Sequence, residues 1–365
     1  MSTVAIYDST YESVTDVIEA GFRDFGVSLE GKTVVIKPNI IGPFQVHRAI
    51  TTHPAVVSAV VKAVEARAPA RIIVGDNPGV RGYGSNKLCA QKSGIHDVCA
   101  EHYVNLSEEG VSAQTRSRFA NRVTVSRSFL EADYYISLPK FKTHMLTIIT
   151  GAIKNSFGML VGGQKAAIHR AATTCESFSE ALVDVFQIRT PDLVVMDAIT
   201  GMEGKGPSSD ELRDIGKILV SDNATEIDAV MAAMMGLPPS HVPLVRIAHE
   251  RGLGEMNLGK IETIGPVRPI ENFKLPSKLM RGPFGHISWR LLTKLMMSRP
   301  VPIRDKCTQC GACEEHCPVG AMKLNPYPEV NAEKCISCFC CMELCTHNAL
   351  DVTNKVKRYR GRFKY

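Results

Sequence analysis

Thr33-Val-Val-Ile-Lys-Pro-Asn39, then Thr51-Thr-His-Pro54, then Arg71-Ile-Ile-Val-Gly-Asp-Asn-Pro78 is the stretch whose reading decides the fold. Its two apolar runs are short and rich in β-branched residues, as buried strands are. Between them Val56, Val57, Val60, Val61 and Val64 recur at helical spacing, with Thr51 or Thr52 placed to cap the helix and Pro54 at its first position. Strand, helix, strand at this spacing is a βαβ unit, which implies a parallel sheet. The chain is therefore expected to be an α/β protein, a mostly parallel sheet with flanking helices. Both strands run straight into polar residues, Lys37 and Asn39 after the first and Asp76 after the second.

The same pattern extends outward. Ser9-x-x-Glu12 has the form of a capping box and is followed by Val14, Val17, Ile18, Phe22 and Phe25, so a helix is expected over 9–26. Tyr134-Tyr-Ile-Ser-Leu138, Leu193-Val-Val-Met196 and Lys217-Ile-Leu-Val220 read as further strands. Helices are expected from Leu146 into Lys154-Asn155 and from Thr225 through Met235. Polar or glycine residues again follow each strand: Lys140, Lys142 and His144, then Asp197 through Glu203 to Pro207, then Asp222. Open α/β sheets hold ligands outside the carboxyl ends of their strands, so five such loops predict one cleft on that edge.

The residue types suggest what the cleft takes. Residues 1–272 carry 27 basic and 30 acidic residues, yet Lys37, Lys140, Lys142, His144, Lys154, Lys165 and His169 gather on the candidate loops. One lysine is ordinarily a solvated surface group; this grouping points to an anion such as a phosphate, a carboxylate or a coenzyme ester. Lys140, Lys142 and His144 are the candidate catalytic groups, His144 as a titratable proton source. Lys37, Asn39, Asp76, Lys154, Asn155, Asp197, Glu203 and Asp222 are the candidate ligand-binding residues. The carboxylates Asp76, Asp197, Glu203 and Asp222 also suit a divalent metal with His144 as a nitrogen ligand, or simply the caps of the helices that follow. Gly158-x-x-x-x-Gly163 precedes Gln164 and Lys165, not Lys then Ser or Thr, and no Gly-x-Gly-x-x-Gly follows a strand. Neither a Walker-type nor a Rossmann nucleotide site is expected.

The C-terminal part reads Cys307-x-x-Cys310-x-x-Cys313-x-x-x-Cys317-Pro318 and repeats 28 positions on as Cys335-x-x-Cys338-x-x-Cys341-x-x-x-Cys345. Glu315 recurs as Glu343, Ala321 as Ala349, Met322 as Leu350 and Leu324 as Val352, so this is a duplicated half-domain. In the bacterial ferredoxin pattern the first three cysteines of each run hold one 4Fe–4S cluster and the fourth crosses to the other. The expected ligands are Cys307, Cys310, Cys313 and Cys345 for the first cluster, and Cys335, Cys338, Cys341 and Cys317 for the second. Disulfides fit poorly with eight cysteines in two matched runs, and zinc ribbons would leave half of each run unused. Thr346 replaces the proline of the first run, and Cys340 is expected to be a packed thiol outside the ligand set. Cys89, Cys99 and Cys175 read as scattered buried thiols.

At 44% hydrophobic and 22% charged residues, the composition is that of a globular protein. Without a signal-like start or an apolar run of membrane-spanning length, the expected location is the cytoplasm with no transmembrane segment. Positive charge concentrates in 273–306, with eight basic residues against one acidic, and in 352–365, with six against none. These segments flank the acidic 307–351, so the expected organisation is an α/β domain over 1–272, a basic linker, a two-cluster module over 307–351 and a basic tail. In the linker Phe284, Ile287, Leu291, Leu292, Leu295 and Met296 have helical spacing, favouring a helix that docks the module over one that lies on a membrane. The tail suits a solvated or cluster-covering segment; a redox protein is the expected partner and nucleic acid is not.

With these loops in view, the chain resembles the family called domain of unknown function 362, whose members often carry a C-terminal two-cluster ferredoxin. The resemblance lies in Val35-Ile-Lys-Pro-Asn39, Thr51-Thr-His-Pro54, Val74-Gly-Asp-Asn-Pro78, Pro139-Lys-Phe-Lys-Thr-His144, Gly151-Ala-Ile-Lys-Asn155 with Gly158, and Asp197-Ala-Ile-Thr-Gly-Met-Glu-Gly-Lys-Gly-Pro207. It covers nearly the whole chain and implies electron transfer for the ferredoxin half and a site, without a reaction, for the other. The expected function is a reductase or reductase component passing low-potential electrons from two clusters to an anion on the α/β domain. The alternative is a non-enzymatic electron carrier or an assembly factor for a cofactor or metallo-enzyme.

Overall fold

The structure, a computed structural model, describes residues 3–79, 85–276 and 299–353, apart from 316, 318, 336–339, 344, 346 and 348. Its centre is a sheet whose strands lie in the order Glu262–Ile264, Thr3–Asp8, Leu212–Ser221, Leu193–Met202, Tyr134–Leu138, Thr33–Pro38 and Arg71–Val74. All are parallel except Leu212–Ser221, which pairs antiparallel with both neighbours. The chain is an α/β protein built on a mostly parallel sheet. Thr33–Pro38 shows why: its alternation buries Val34 and Ile36 against one helical layer and Val35 against the other. Each such side chain contributes about 1.5–3 kcal/mol on full burial. One layer holds the helices Val14–Asp24 and Pro54–Glu65; the other holds Cys175–Phe186, Ala224–Met234 and Pro243–Glu250.

Several local expectations are corrected. The first helix begins at Val14, because Ser9 and Thr10 belong to a turn in which the Thr10 amide donates to the Ser13 hydroxyl. Pro54–Glu65 is capped by His53, whose Nδ1 accepts from the Ala55 amide at 3.1 Å, and not by either threonine. No helix starts at Leu146: Lys140–His144 is itself a strand beside Leu193–Met202, Ile148–Ile149 folds back on it, and the helix is Gly151–Asn155. Leu212–Ser221 returns antiparallel because only 203–211, without a helix, separates it from the strand before. Its carboxyl end is therefore at the opposite edge of the sheet, and exposed Asp222 lies there, away from Lys37 and Asp76.

The cysteine-rich half repeats its structure as it repeats its sequence. Helices Ala312–Glu315 and Cys340–Glu343 occupy equivalent positions, Met322–Leu324 pairs with Pro328–Val330, and Leu350–Thr353 pairs with Arg299–Pro302. The strand Arg299–Pro302 thus joins this half although the sequence reading put it in the linker. The expected docking helix lies largely outside the described residues, as do the tail from 354, Cys338, Pro318 and Thr346. Among the described residues no helix is long and apolar enough to cross a membrane.

Candidate functional site

Alternation along Thr33–Pro38 turns Lys37 to the same side as Val35, above the carboxyl end of the sheet. There it lines a cavity with Asn39, Ile40, Ile41, Asp76, Asn77, Thr150, Lys154, Asn155, Phe157, Gly158, Lys165 and His169. Lys37 Nζ pairs with Asp76 Oδ1 at 2.7 Å and donates to Asn155 Oδ1 at 3.1 Å. The other Asp76 oxygen accepts from the Ile40 amide at 2.8 Å, fixing the loop after the strand. Lys165, from the helix Gln164–Ala171, donates to the Asn77 and Pro78 carbonyls. Lys154 and Asn155 come from Gly151–Asn155, whose Ala152 and Ile153 amides donate to the buried Asp228 at 2.6 and 3.0 Å.

The charge balance of the cavity is positive. Its one carboxylate, Asp76, is already paired, whereas Lys154 has no carboxylate partner among the described residues; its Nζ lies 6.0 Å from the Phe157 ring centroid. The Thr150 hydroxyl, on a residue 2% exposed, has no hydrogen-bond partner among the described residues. Burial pulls the Lys37 ammonium below the usual lysine range more strongly than Asp76 restores it. Burial likewise takes Lys165 down to about 7, with Asp76 opposing and Lys37 and Lys154 reinforcing the shift. Asp228 is raised to about 7 by burial, against the two amides it caps.

The other sequence-selected residues separate into neighbouring sets. Phe141 packs in the same layer as Val35, so Lys140 beside it faces the opposite layer. There its Nζ contacts Asp197 at 2.7 Å and the Tyr11 hydroxyl at 3.1 Å, while the His53 amide donates to Asp197 at 2.9 Å. Burial opposes the Lys140 charge, but Asp197 and Tyr11 outweigh it and hold the ammonium above its ordinary range. Lys142 supports the cavity from outside, donating to Asn39 Oδ1 and the Ile50 carbonyl, both at 2.6 Å. His144 Nδ1 accepts from the Leu146 and Thr147 amides at 3.1 and 3.2 Å and so holds a turn. Glu203 binds Arg213 at 3.2 Å and does not line the cavity. The carboxylates therefore do not converge with His144, and among the described residues no three His, Cys, Asp or Glu side chains meet as a single-ion site.

In the C-terminal half, Cys307, Cys310, Cys313 and Cys345 line one pocket with Leu324, Ala349 and Leu350. This spread suits a four-iron cage, whose thiolates stand around it and not around one ion. The Cys313 thiol is pushed up to about 11, first by burial and also by Cys310 and Cys345 nearby; bound iron would offset that crowding. The Ala321 amide donates to Cys317 Sγ and the Ala349 amide to Cys345 Sγ, both at 3.1 Å, the same bond in each repeat. Amide bonds to sulfur of this kind help set a cluster's potential. Cys89, Cys99 and Cys175 are different, each pushed up to about 12 chiefly by burial, as for packed, unreactive thiols.

Two missed contributors were visible as residues but not as partners. His53 stood in the quoted Thr51-Thr-His-Pro54, yet nothing local shows that its ring stacks on Tyr11 at 3.6 Å beside Asp197. Thr150 carried no signal beyond its place before Gly151-Ala-Ile-Lys-Asn155.

Comparison with known proteins finds relatives for both parts of the chain. Residues 300–323 match the 4Fe-4S binding domain. The uncharacterized ferredoxin MJ0199 of Methanocaldococcus jannaschii is 48% identical over 33 residues, 9% of this chain and 47% of that one. The thylakoid-associated protein sll1697 of Synechocystis is 30% identical over 259 residues, covering 70% of this chain and 79% of the relative. A solved Thermotoga maritima protein superimposes with a TM-score of 0.36 at 12% identity, over 51% of this chain and 50% of that one. Residues 34–233, which contain every residue lining the cavity, match the domain of unknown function DUF362, and the chain belongs to that family.

Proposed function

We propose that this is an iron–sulfur electron-transfer protein, a reductase or reductase component, with two 4Fe–4S clusters and a small anionic ligand in the cavity between Lys37, Lys154 and Lys165. The observation that carries the anion is Lys154: a cation on a cavity where, among the described residues, the only carboxylate is already engaged. An unpartnered Thr150 hydroxyl supports it. The second cluster is supported by the repeat of helix, strand and amide-to-sulfur bond in both halves of the cysteine-rich region. The reading includes a protein redox partner and a reducing, cytoplasmic setting.

When bound, the clusters supply single electrons at low potential. Lys154 and Lys165 then hold the anion, and the Thr150 hydroxyl donates to it. Lys165, whose affinity for its proton lies near neutrality, delivers that proton from Nζ to the ligand as negative charge builds up and recovers it from solvent. Lys142 holds Asn39 in the cavity wall, and Lys140 with Asp197 stabilises the adjoining strand; both are positioning residues here.

The test mixes dithionite-reduced protein anaerobically with a panel of phosphorylated and carboxylated metabolites and follows the cluster absorbance. A ligand is expected to speed reoxidation in the wild type and not in Lys154→Gln, with iron content equal in both. Equal rates in the two proteins with every candidate would reject the cavity as the electron acceptor site.

A further inference from the structure

The segment 203–211, which takes in the end of the motif Asp197–Pro207, has no part in the cavity, yet it is held on both sides. On its inner side the Gly206 carbonyl accepts from the Met145 amide at 3.0 Å and its amide donates to Thr143 Oγ1 at 3.3 Å. A Cβ at Gly206 would lie 2.1 Å from the Thr143 carbonyl oxygen, so only glycine fits there. On the outer side Lys205 pairs with Asp351, and the Ser208 hydroxyl donates to the Met342 carbonyl at 3.0 Å. Asp210 reaches Lys306 at 3.6 Å and Arg48 at 3.2 Å.

What this clamp brings together is Met145. It forms a small apolar cluster with Met342 and Leu350, against which pack two of the thiols expected to hold the first cluster, Cys313 and Cys345, and one expected to hold the second, Cys341. Leu350 also lines the pocket of Cys307, Cys310, Cys313 and Cys345. From Met145 the chain turns back through Ile148–Ile149 to Thr150 on the cavity. We propose that Met145 is the contact through which the cluster of Cys307, Cys310, Cys313 and Cys345, two of whose thiols pack against its group and whose pocket Leu350 lines, exchanges electrons with the α/β half, and that 203–211 seats it there. This rests on the electron-transfer reading but not on the identity of the anion. At each transfer one electron leaves the reduced cluster, with no proton, and reduces the anion bound in the cavity; an external low-potential donor of the ferredoxin class, itself oxidised by one electron, replaces it by way of the second cluster.

Potentials test this without turnover. In an EPR-monitored redox titration of the full chain, Met145→Leu should leave both reduction waves in place. Met145→Gln puts an N–H donor beside the sulfurs and should move one wave to higher potential. That wave should be the one altered by Cys310→Ser, which changes a ligand of the first cluster. Met145→Asn carries the same donor if the longer amide does not pack. If neither wave moves, or the wave untouched by Cys310→Ser moves, Met145 does not serve this cluster. In Gly206→Ala the shift caused by Met145→Gln should vanish while iron content is kept; a shift that persists would overturn the seating role. Failure of the cavity reading would appear instead in the Lys154→Gln reoxidation rates, which these titrations do not involve.

Discussion

Lys37 Nζ and Asp76 Oδ1 lie 2.7 Å apart with almost no solvent at either side chain, and Gly158 closes over them. A Cβ at position 158 would fall 2.0 Å from Asp76 Oδ1 and 2.4 Å from Lys37 Cε, so Gly158→Ala must push the pair apart. A loss of about 1–3 kcal/mol is expected, as for other overpacked sites. Asp76→Ala, which leaves a buried ammonium unpaired, should cost about 3–5 kcal/mol. Urea unfolding midpoints measure both; an unchanged midpoint in Gly158→Ala would show that the contact is not there in solution.

Cluster content follows from the two cysteine runs. Anaerobically purified protein should hold about eight iron and about eight acid-labile sulfides per chain. Cys340→Ser should leave both values unchanged, whereas Cys335→Ser should lower them. Four irons in the wild type would remove the second cluster, and zinc in their place would remove both.

The helix that carries Lys154 depends on Asp228. Gly151 has φ +61°, and a Cβ there would lie 2.3 Å from Asp228 Oδ1, because the carboxylate is drawn tight against the Ala152 and Ile153 amides. Asp228→Ala leaves those two buried donors unsatisfied, at a cost of about 1–3 kcal/mol each. Loss of stability together with loss of ligand-dependent reoxidation is the expected pair of results. A variant as stable as wild type would show that the helix is held by something else.

How much of this was legible depended on whether the signal was local. The βαβ unit at 33–78 is read directly from apolar runs and helical spacing, and the cysteine repeat from matching positions. Lys37, Asn39, Asp76, Lys154 and Asn155 do line one cavity, since parallel strands bring their carboxyl ends to one edge. Asp222 was misplaced because strand direction is set by the connection: 203–211 holds no helix, so the strand turns back. Lys140 and Lys37 look equivalent as lysines at strand ends, but side-chain alternation sends them to opposite layers, where Lys140 meets Asp197, Tyr11 and His53. The Leu146 helix failed for a similar reason, since His144 accepts the amides that would have begun it. Contacts such as Gly158 on the Lys37–Asp76 pair depend on how separate segments pack, which no local pattern encodes.

The last prediction concerns pH. Lys165 sits at about 7 in the folded protein and at about 10.5 when solvated. Between those values the unfolded chain holds a proton that the folded one has lost, so the unfolded state binds more protons and stability rises with pH across the window. Below about 7 the folded protein carries the full cost of a buried ammonium, and the contribution of this residue is at its least favourable. An anion reverses the preference, because it binds the ammonium form. Affinity for oxalate, which stays fully ionised throughout, should fall as pH rises above about 7, by at most about tenfold per pH unit, with proton uptake on binding. Calorimetry near pH 8 in buffers of different ionisation enthalpy measures that uptake. Lys37 is also depressed, so Lys165→Arg and Lys165→Met are needed to separate the two lysines. Lys165→Arg keeps the charge and should bind with little proton uptake, and Lys165→Met should lose most of the stability rise between neutral and alkaline pH. Proton uptake as large in Lys165→Arg as in the wild type would assign the titration to Lys37 and take Lys165 out of the proton-donor role.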